Sequence, residues 1–414
     1  MRRELEVVVV GCGTAGTVTA LLLAAQGHRV RLLERAGEPD DVGAGILLQH
    51  LGQEVLDLLG LGDALRALSR PVTRVDAVTV RGRQVMDFAY ADVPGSVPAL
   101  GVHRGALFRL LYDAVLASAV EVGTGVEVVD VRPAGDRLGV WVAGADGPVR
   151  WGEADLVVGA DGTRSAVRRA LGVTVRDHPY AYGALWAVVP DPDEVAADAL
   201  YQCFRDTRHY LGVLPTGRGE SSIFWSIRTD EMEATMRRGV PAWRDEARPF
   251  AGRYAPLLER VDHLLAATYR DVVVSHPHRV APGGRAAVAL VGDSWHAMSP
   301  QLGAGASLAL ADAWTLAGCL AEASDLRTGL TAYEQQRRAH VRWYTWWTRL
   351  MTPLFQSGLV PLSWPRDLLA GPVAQVPAVR RQFVSTLMGH RTSPWSTWEL
   401  PAERPGRPGG RSEG

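Results

Sequence analysis

The hydrophobic pattern of the chain changes rhythm three times. Its first third has short unbroken apolar runs separated by longer stretches with apolar residues at helical spacing. Val7–Val10 is such a run, and its two apolar faces predict a buried parallel strand. Thr17–Gln26 predicts a helix ended by Gly27, and Val30–Leu33 the next strand, so a βαβ unit opens the chain. "RGALFRLLYDAVLASA" predicts a further helix. "DLVVGADG" (Asp155–Gly162) and "RAAVALVGD" (Arg285–Asp293) each predict a strand ending in a turn of glycine and acid.

Between these lie stretches with period-two alternation and aromatics: Val72–Asp87, Tyr182–Val189, Arg208–Leu214 and Ser222–Arg228. They predict a second, mainly antiparallel sheet inserted into the first unit. From Leu330 onward the pattern turns helical and rich in tryptophan. The closing "ERPGRPGGRSEG" cannot bury a core and predicts a disordered tail. The fold class is therefore α/β: a Rossmann-like dinucleotide-binding domain with an inserted antiparallel β-sheet domain and a C-terminal helical segment.

Composition narrows the partners. A net charge of -1 gives no long-range attraction for nucleic acid or acidic membranes. No apolar run has the length of a transmembrane helix. The 44 basic residues are all arginine, so lysine-dependent chemistry is excluded. Three cysteines without a CxxC pair fit a reducing cytoplasm, the expected location. Arg2, Arg3 and "LLLAAQG" imitate a signal peptide, but "VVVVGCGTAG" interrupts them and reads as strand, turn and helix.

The strongest motif is Gly11-x-Gly13-x-x-Gly16, directly after a strand and opening a helix. Gly11 permits the tight turn. Gly13 lets backbone N–H groups approach a pyrophosphate, and Gly16, next to Ala15, lets helix and strand pack closely. Glu34, 18 residues after Gly16 and followed by Arg35, ends the second strand where a carboxylate can accept ribose hydroxyls. Glu34 would repel a 2′-phosphate, which disfavours NADP in this pocket. The fingerprint does not separate NAD from FAD.

The fingerprint together with "GADGTRS" and "VGDSWHAMSP" resembles the group A FAD-dependent monooxygenases, the aromatic-hydroxylase-type flavoproteins, over about residues 5–340. The resemblance implies that Gly11, Gly13, Ala15, Gly16, Glu34 and Arg35 hold FAD, with Gly45 and Ile46 of "GAGI" along the flavin ring. It implies Arg104 on the pyrophosphate, Val126 beside adenine and Asp161 in the second motif. Asp293 is implied on a flavin-chain hydroxyl. Pro300, Gly303, Gly305 and Ser307 are implied in the turn and helix start facing the isoalloxazine, where the helix dipole stabilises reduced flavin. The usual motif continues Gly-Gln-Gly-x-Asn; here Ala304 and Ser307 stand in its place, and Trp295 replaces a small residue. His296 is expected to be structural. The flavin-borne chemistry needs no catalytic side chain: NAD(P)H (NADPH or NADH) reduces FAD, O2 adds at flavin C4a, and the hydroperoxide delivers one oxygen atom to the substrate.

On the same basis the FAD-binding domain is expected over residues 1–75, 98–178 and 270–335, and the substrate sheet over 76–97 and 179–269. A helical segment is expected over 336–400 and a disordered tail over 401–414. Trp186, Tyr210, Trp225 and Trp295 are candidate pocket walls, with burial in the core as the alternative for each. The substrate is expected to be an aromatic or apolar small molecule of secondary metabolism, and the enzyme a monomer or homodimer. "RWYTWWTRLMTPLFQSGLVPLSW" packs on the FAD domain, caps the pocket, meets a partner copy or touches a membrane. His276-Pro-His278 lacks a third metal ligand, so no metal is expected. Two other readings stay open: a flavin oxidase, dehydrogenase or reductase of the same fold, and a flavin-binding protein without turnover.

Overall fold

A computed structural model describes residues 4–39, 43–173 and 175–401. The tail from residue 402 onward lies outside them. A six-stranded sheet runs in the order His278–Val280, Ala287–Leu290, Leu156–Gly159, Glu6–Val10, Arg29–Glu34, Glu121–Thr124. Every neighbouring pair is parallel except the His278–Val280 edge. Val7, Val8 and Val9 are completely buried because helices cover both faces of this parallel sheet. Val10 lies opposite Gly159, and Gly159 opposite Leu290. The three strands therefore end level, and the turns beginning at Gly11, Ala160 and Val291 stand side by side at one sheet edge.

The second sheet has seven strands, of which Tyr182–Pro190, Glu220–Arg228 and Tyr210–Gly217 form the antiparallel centre. Arg74–Thr79 and Gln84–Ala89 join it at one edge through a parallel pairing with Ala199–Phe204. Successive side chains leave a strand on opposite faces. Leu185, Ile223, Trp225 and Ile227 face one way and pack on Trp243 and Phe250 of the helix Met232–Ala251. Trp186, Tyr210 and Phe224 face the other way, towards Met351 and Phe355 of the long helix Leu326–Phe355.

That alternation corrects one expectation. Trp225 is 1% exposed, stacks edge-on against Phe250 and is a core residue on the far side of the sheet. Its neighbour Phe224 takes the face assigned to it. Trp295 is corrected too. Its indole donates to the Val274 carbonyl at 3.2 Å and packs against Tyr333 inside the core of the first domain. The bulky residue fills a gap behind the turn and does not reach its open side.

One buried ionic group holds that turn. Asp312, on the helix Gly305–Glu322, is completely buried. It accepts the Gly292 N–H at 2.8 Å, the His296 Nε2 at 2.6 Å and the Arg337 Nε at 2.8 Å. Burial pushes this carboxyl up, but His296, Arg337 and the Gly292 amide outweigh it and the acid falls to about 2. Arg337 also contacts His340 Nδ1, and His340 Nε2 donates to the Gly389 carbonyl at 2.6 Å. Burial, then the adjacent Arg337 charge, holds His340 well below its ordinary value, so it stays neutral.

The C-terminal segment closes over this group. The Arg337 guanidinium lies 4.8 Å from the Trp398 ring centre, and Trp398 stacks on His340 at 5.2 Å. The long helix packs along Gly305–Glu322 and buries Tyr333 and Tyr344 completely. Of its tryptophan cluster, Trp343 and Trp347 are half-buried and Trp346 is exposed. No helix among the described residues is long and apolar enough to cross a membrane.

Two outcomes follow from this packing. Truncating either core tryptophan, Trp225→Ala or Trp295→Ala, is expected to cost ~3–5 kcal/mol of stability, read by denaturant unfolding. Acid should also destabilise the fold in two windows. His340 is neutral when folded and takes a proton when unfolded below about 6.5, so stability falls with pH from there by up to ~1.4 kcal/mol per unit. Asp312 adds its loss only between 3.8 and about 2, where the folded carboxylate finally protonates. Urea midpoints should hold nearly level from pH 7.5 to about 6.5 and fall from there to pH 5, and His340→Gln, which keeps a donor towards Gly389, should flatten that fall.

Candidate active site

The glycine loop has the shape its sequence implies, and each glycine has a separate reason. Gly11 has φ +99°, and a Cβ there would lie 2.5 Å from the Ala160 carbonyl oxygen. A Cβ on Gly16 would lie 1.9 Å from the Gly11 carbonyl oxygen, so both positions are closed by the protein itself. Gly13 is different: a Cβ added there meets nothing within 4 Å. It is the N-cap of the helix Thr14–Ala25, which has no side-chain cap. The first turn thus has no side-chain cap and open space beside its N-cap, an arrangement suited to a phosphate.

Glu34 stands beside this loop. One carboxylate oxygen accepts the Cys12 N–H at 2.9 Å and the other the Ala36 N–H at 3.0 Å, leaving lone pairs on each for ribose hydroxyls. Val126 donates its N–H to the Glu34 carbonyl at 2.8 Å, which brings residue 126 to the same end. Arg35 is exposed and Ala15 is buried against the core. The Cys12 thiol is pushed up to about 12 by burial and the Glu34 charge, so it has no thiolate chemistry at neutral pH.

The third turn carries Asp293. Its side chain is exposed, yet it lies deep inside the protein envelope, and that burial raises its pKa while His296 and Arg104 pull it back. An accessible carboxylate surrounded by protein is what a cleft wall presents. Gly292, with φ +60°, is wedged between Ala15 and Ala309, where a Cβ would come within 3.2 Å and 3.1 Å of their methyl groups. Pro300–Leu302 forms a single 3-10 turn, Gly303 is left-handed, and the helix Gly305–Glu322 begins with no side-chain cap. A Cβ on Gly305 meets nothing within 4 Å, so this helix end also opens on free space.

The "GAGI" strand closes the cleft from the opposite side. Gly45–Leu48 pairs with Ala99–His103, and the Arg104 N–H donates to the Ala44 carbonyl at 3.0 Å. Arg104 itself is exposed, with its stem against Gly43. Gly45 fits tightly under the second sheet, its N–H donating to Ser222 Oγ at 2.9 Å. Ser307 is buried and its hydroxyl accepts the Gln49 N–H at 3.1 Å, tying the start of the helix to the end of the "GAGI" strand. Gln49 also accepts from the Tyr90 hydroxyl at 2.8 Å. Nothing in the sequence pattern marked Gln49. Asp161 has a structural task. Its carboxylate accepts Ser165 Oγ at 2.5 Å and the Ala166 N–H at 2.6 Å, so it fixes the turn after the middle strand.

Beyond the Pro300–Gly303 turn lies the aromatic face of the second sheet. Trp186 Nε1 donates to the Tyr269 hydroxyl at 3.1 Å, and Trp186 packs on Phe224 at 4.9 Å. Tyr210 meets Phe224 edge-on at 5.9 Å. Gln301 Nε2 donates to Gln356 Oε1 at 3.2 Å, and Gln301 also bonds the Tyr210 side chain. Burial pushes Tyr269 up to about 12 and raises Tyr210, so both phenols stay protonated and serve as donors. Trp186 and Tyr210 thus meet at one wall. Phe224, Tyr269, Gln301 and Gln356 join them, although the sequence did not single them out; strand alternation was the signal that could have found Phe224.

His276 and His278 bracket a carboxylate rather than an open ligand position. Glu334 lies 2.9 Å from His276 Nδ1 and 3.1 Å from His278 Nδ1, and the Arg338 guanidinium contacts it as well.

An FAD binding domain family model matches residues 4–348. The chain is 28% identical to 3-hydroxybenzoate 6-hydroxylase of Klebsiella oxytoca over 382 residues, which cover 86% of this chain and 90% of the relative. It is 32% identical over 349 residues to 3-amino-4-hydroxybenzoate 2-monooxygenase of Streptomyces cremeus, covering 77% of this chain and 79% of that one. Among solved structures, Klebsiella pneumoniae HpxO complexed with FAD and uric acid shares the fold with a TM-score of 0.76 at 22% identity, over 94% of this chain and 98% of that one. With the cradle for a dinucleotide in place and the family match spanning most of its length, the chain belongs to the group A flavoprotein monooxygenases, FAD-dependent oxidoreductases.

Proposed function

We propose that this protein is an NAD(P)H-dependent monooxygenase that places one oxygen atom of O2 on a neutral, planar aromatic or other apolar small molecule. When bound, FAD supplies the redox chemistry, taking a hydride from the nicotinamide and passing oxygen to the substrate. The residues of the chain bind, orient and exclude water. The open helix start at Gly13 and the exposed Arg104 suit the pyrophosphate; Glu34 suits the ribose. Asp293 suits a hydroxyl of the ribityl chain, and the uncapped start of Gly305–Glu322 suits the electron-rich edge of the reduced ring.

The observation that carries the substrate reading is the wall of Trp186, Tyr210, Phe224 and Tyr269 against the Gln301–Gln356 pair, next to the turn at Gly303. Flat rings give offset stacking, while two amides and two protonated phenols give hydrogen bonds. None of these six side chains carries a charge at neutral pH, which favours a neutral ring over a carboxylate. Relatives named for 3-hydroxybenzoate and 6-hydroxynicotinate support an aromatic ring, and those named for aurachin C and 2-heptyl-3-hydroxy-4(1H)-quinolone support one without a carboxylate.

Three measurements test this reading. Gly13→Val places methyl groups where no protein atom lies, so the fold should survive while FAD binding weakens at least ~100-fold, roughly 2.7 kcal/mol. The variant should purify colourless with the melting behaviour of the wild-type apoprotein; normal flavin absorbance would remove Gly13 from the site. Neutral aromatics screened with NADPH under 18O2 should give substrate-dependent NADPH oxidation and a product carrying one 18O. Phe224→Ala should raise KM and divert NADPH equivalents to hydrogen peroxide, because water gains access. Substrate oxidation without 18O in the product would favour the oxidase or dehydrogenase reading instead.

A further inference from the structure

Away from the cleft, two imidazoles and a carboxylate converge where the C-terminal segment crosses the helix His50–Leu58. His50 and Glu54 share one face of that helix at i, i+4 spacing. His390 comes from the other side. It follows Gly389, whose φ of +107° ends the helix Pro377–Met388 and lets the chain press onto Leu51, where a Cβ would come within 2.6 Å. His50 Nε2 lies 3.4 Å from Glu54 Oε1, and His390 Nε2 lies 3.3 Å from Glu54 Oε2. One ligand atom from each of the three residues can be chosen so that all lie within 4.8 Å of one another.

The hydrogen bonding around the group calls for a cation. The Trp398 carbonyl can only accept, so His390 Nδ1, 3.3 Å away, carries the proton of the neutral ring. His390 Nε2 then turns a lone pair towards Glu54 Oε2. That oxygen and His50 Nδ1 are buried without a hydrogen-bond partner among the described residues. Two acceptors facing each other at 3.3 Å need either a shared proton or a metal ion between them, and a metal ion also takes up the lone pair of His50. Further negative charge stands close by: Asp57 and Glu399 line the same cavity of about 630 Å3 as Glu54 and His390. Asp57 already pairs with Arg66. The contrast with Glu334 is instructive, since there Arg338 supplies the cation that His276 and His278 surround. No arginine bridges Glu54 to either histidine among the ion pairs of the described residues.

We propose that His50, Glu54 and His390 bind a divalent transition-metal ion of the zinc class, which clips the C-terminal segment onto the helix His50–Leu58. Two nitrogens and one carboxylate are a zinc-type ligand set, and the 3.3 Å between His390 Nε2 and Glu54 Oε2 matches the edge of a tetrahedron with bonds of ~2.0–2.1 Å. The imidazoles favour zinc over magnesium or calcium, which take oxygen ligands. The Trp398 carbonyl on His390 Nδ1 is the outer hydrogen bond that sets the tautomer of a metal-bound histidine. Glu54 and His390 line the cavity, so water can reach the group. The clip is structural: the segment it fastens carries Trp398, which covers Arg337 and His340.

The test uses the full-length FAD-loaded protein, stripped with a chelator and titrated with zinc sulfate by calorimetry. One zinc per chain should bind and raise the thermal midpoint. Glu54→Gln, which preserves shape, and His390→Ala should each weaken binding at least about 100-fold and abolish the thermal shift. His276→Ala should leave both unchanged. Absence of stoichiometric binding by the wild type overturns the proposal. So does binding that survives in the Glu54 and His390 variants or disappears in His276→Ala, since the ion would then sit elsewhere. If Glu54→Gln purifies unfolded, His50→Ala carries the same comparison.

Discussion

The buried carboxylate of Asp312 organises the region on which the cofactor cleft depends. It reaches from the helix Gly305–Glu322 to the Gly292 amide and to His296, so it fixes the turn that carries Asp293. From its other oxygen it holds Arg337 of the long helix. A carboxylate with no exposure is tolerable only when its charge is balanced and its lone pairs are filled, and three donors do both. Removing one partner would leave a charge in the core, so the turn, the first helix turn and the long helix are locked into one arrangement. Asp293 and the uncapped helix start belong to the same rigid unit.

The cleft itself depends on strands that end level. Because Val10, Gly159 and Leu290 share one register line, the phosphate loop, the Asp161 turn and the Asp293 turn face the same side of the sheet. Their acids divide the work. Asp161 spends its oxygens on the turn that contains it, while Asp293 is left open to the cleft. Ser307 uses its hydroxyl to hold Gln49 and so joins the helix start to the "GAGI" strand. A short side chain suffices because the partner is a backbone amide brought close by packing; Gly52 lies where a Cβ would come within 2.7 Å of the same oxygen.

The C-terminal segment fastens the two domains. Tyr333 anchors the long helix to the first sheet through the Leu290 carbonyl, and Phe355 and Met351 meet the aromatic face of the second. Its tail returns over Arg337 and His340 and passes the His50, Glu54 and His390 group. The long helix thus packs against both sheets and against the turn that carries Asp293.

By itself the sequence determined the first domain. Unbroken valine runs, three glycines in fixed spacing and Glu34 at a strand end are local signals, each tied to a neighbour a few residues away. The presence of the second sheet was legible for the same reason, since period-two alternation is local. Which residues of that sheet face the long helix Leu326–Phe355 was not legible. Trp225 and Phe224 are adjacent and both aromatic, and only the pairing register and the helix Met232–Ala251 turn one towards Trp243 and Phe250 and the other towards Met351 and Phe355. Trp295 was misplaced because nearness in sequence to Asp293 says nothing about the direction of its side chain; the helical turn points it at Val274 and Tyr333. Asp312 gave no local signal, since an acid inside an apolar helix gains its meaning from His296 and Arg337, 16 and 25 residues away. His50 and His390, 340 residues apart in the sequence, meet only because a left-handed glycine ends one helix against another. Local backbone preference set the elements, and tertiary contact decided which charged and aromatic groups face one another.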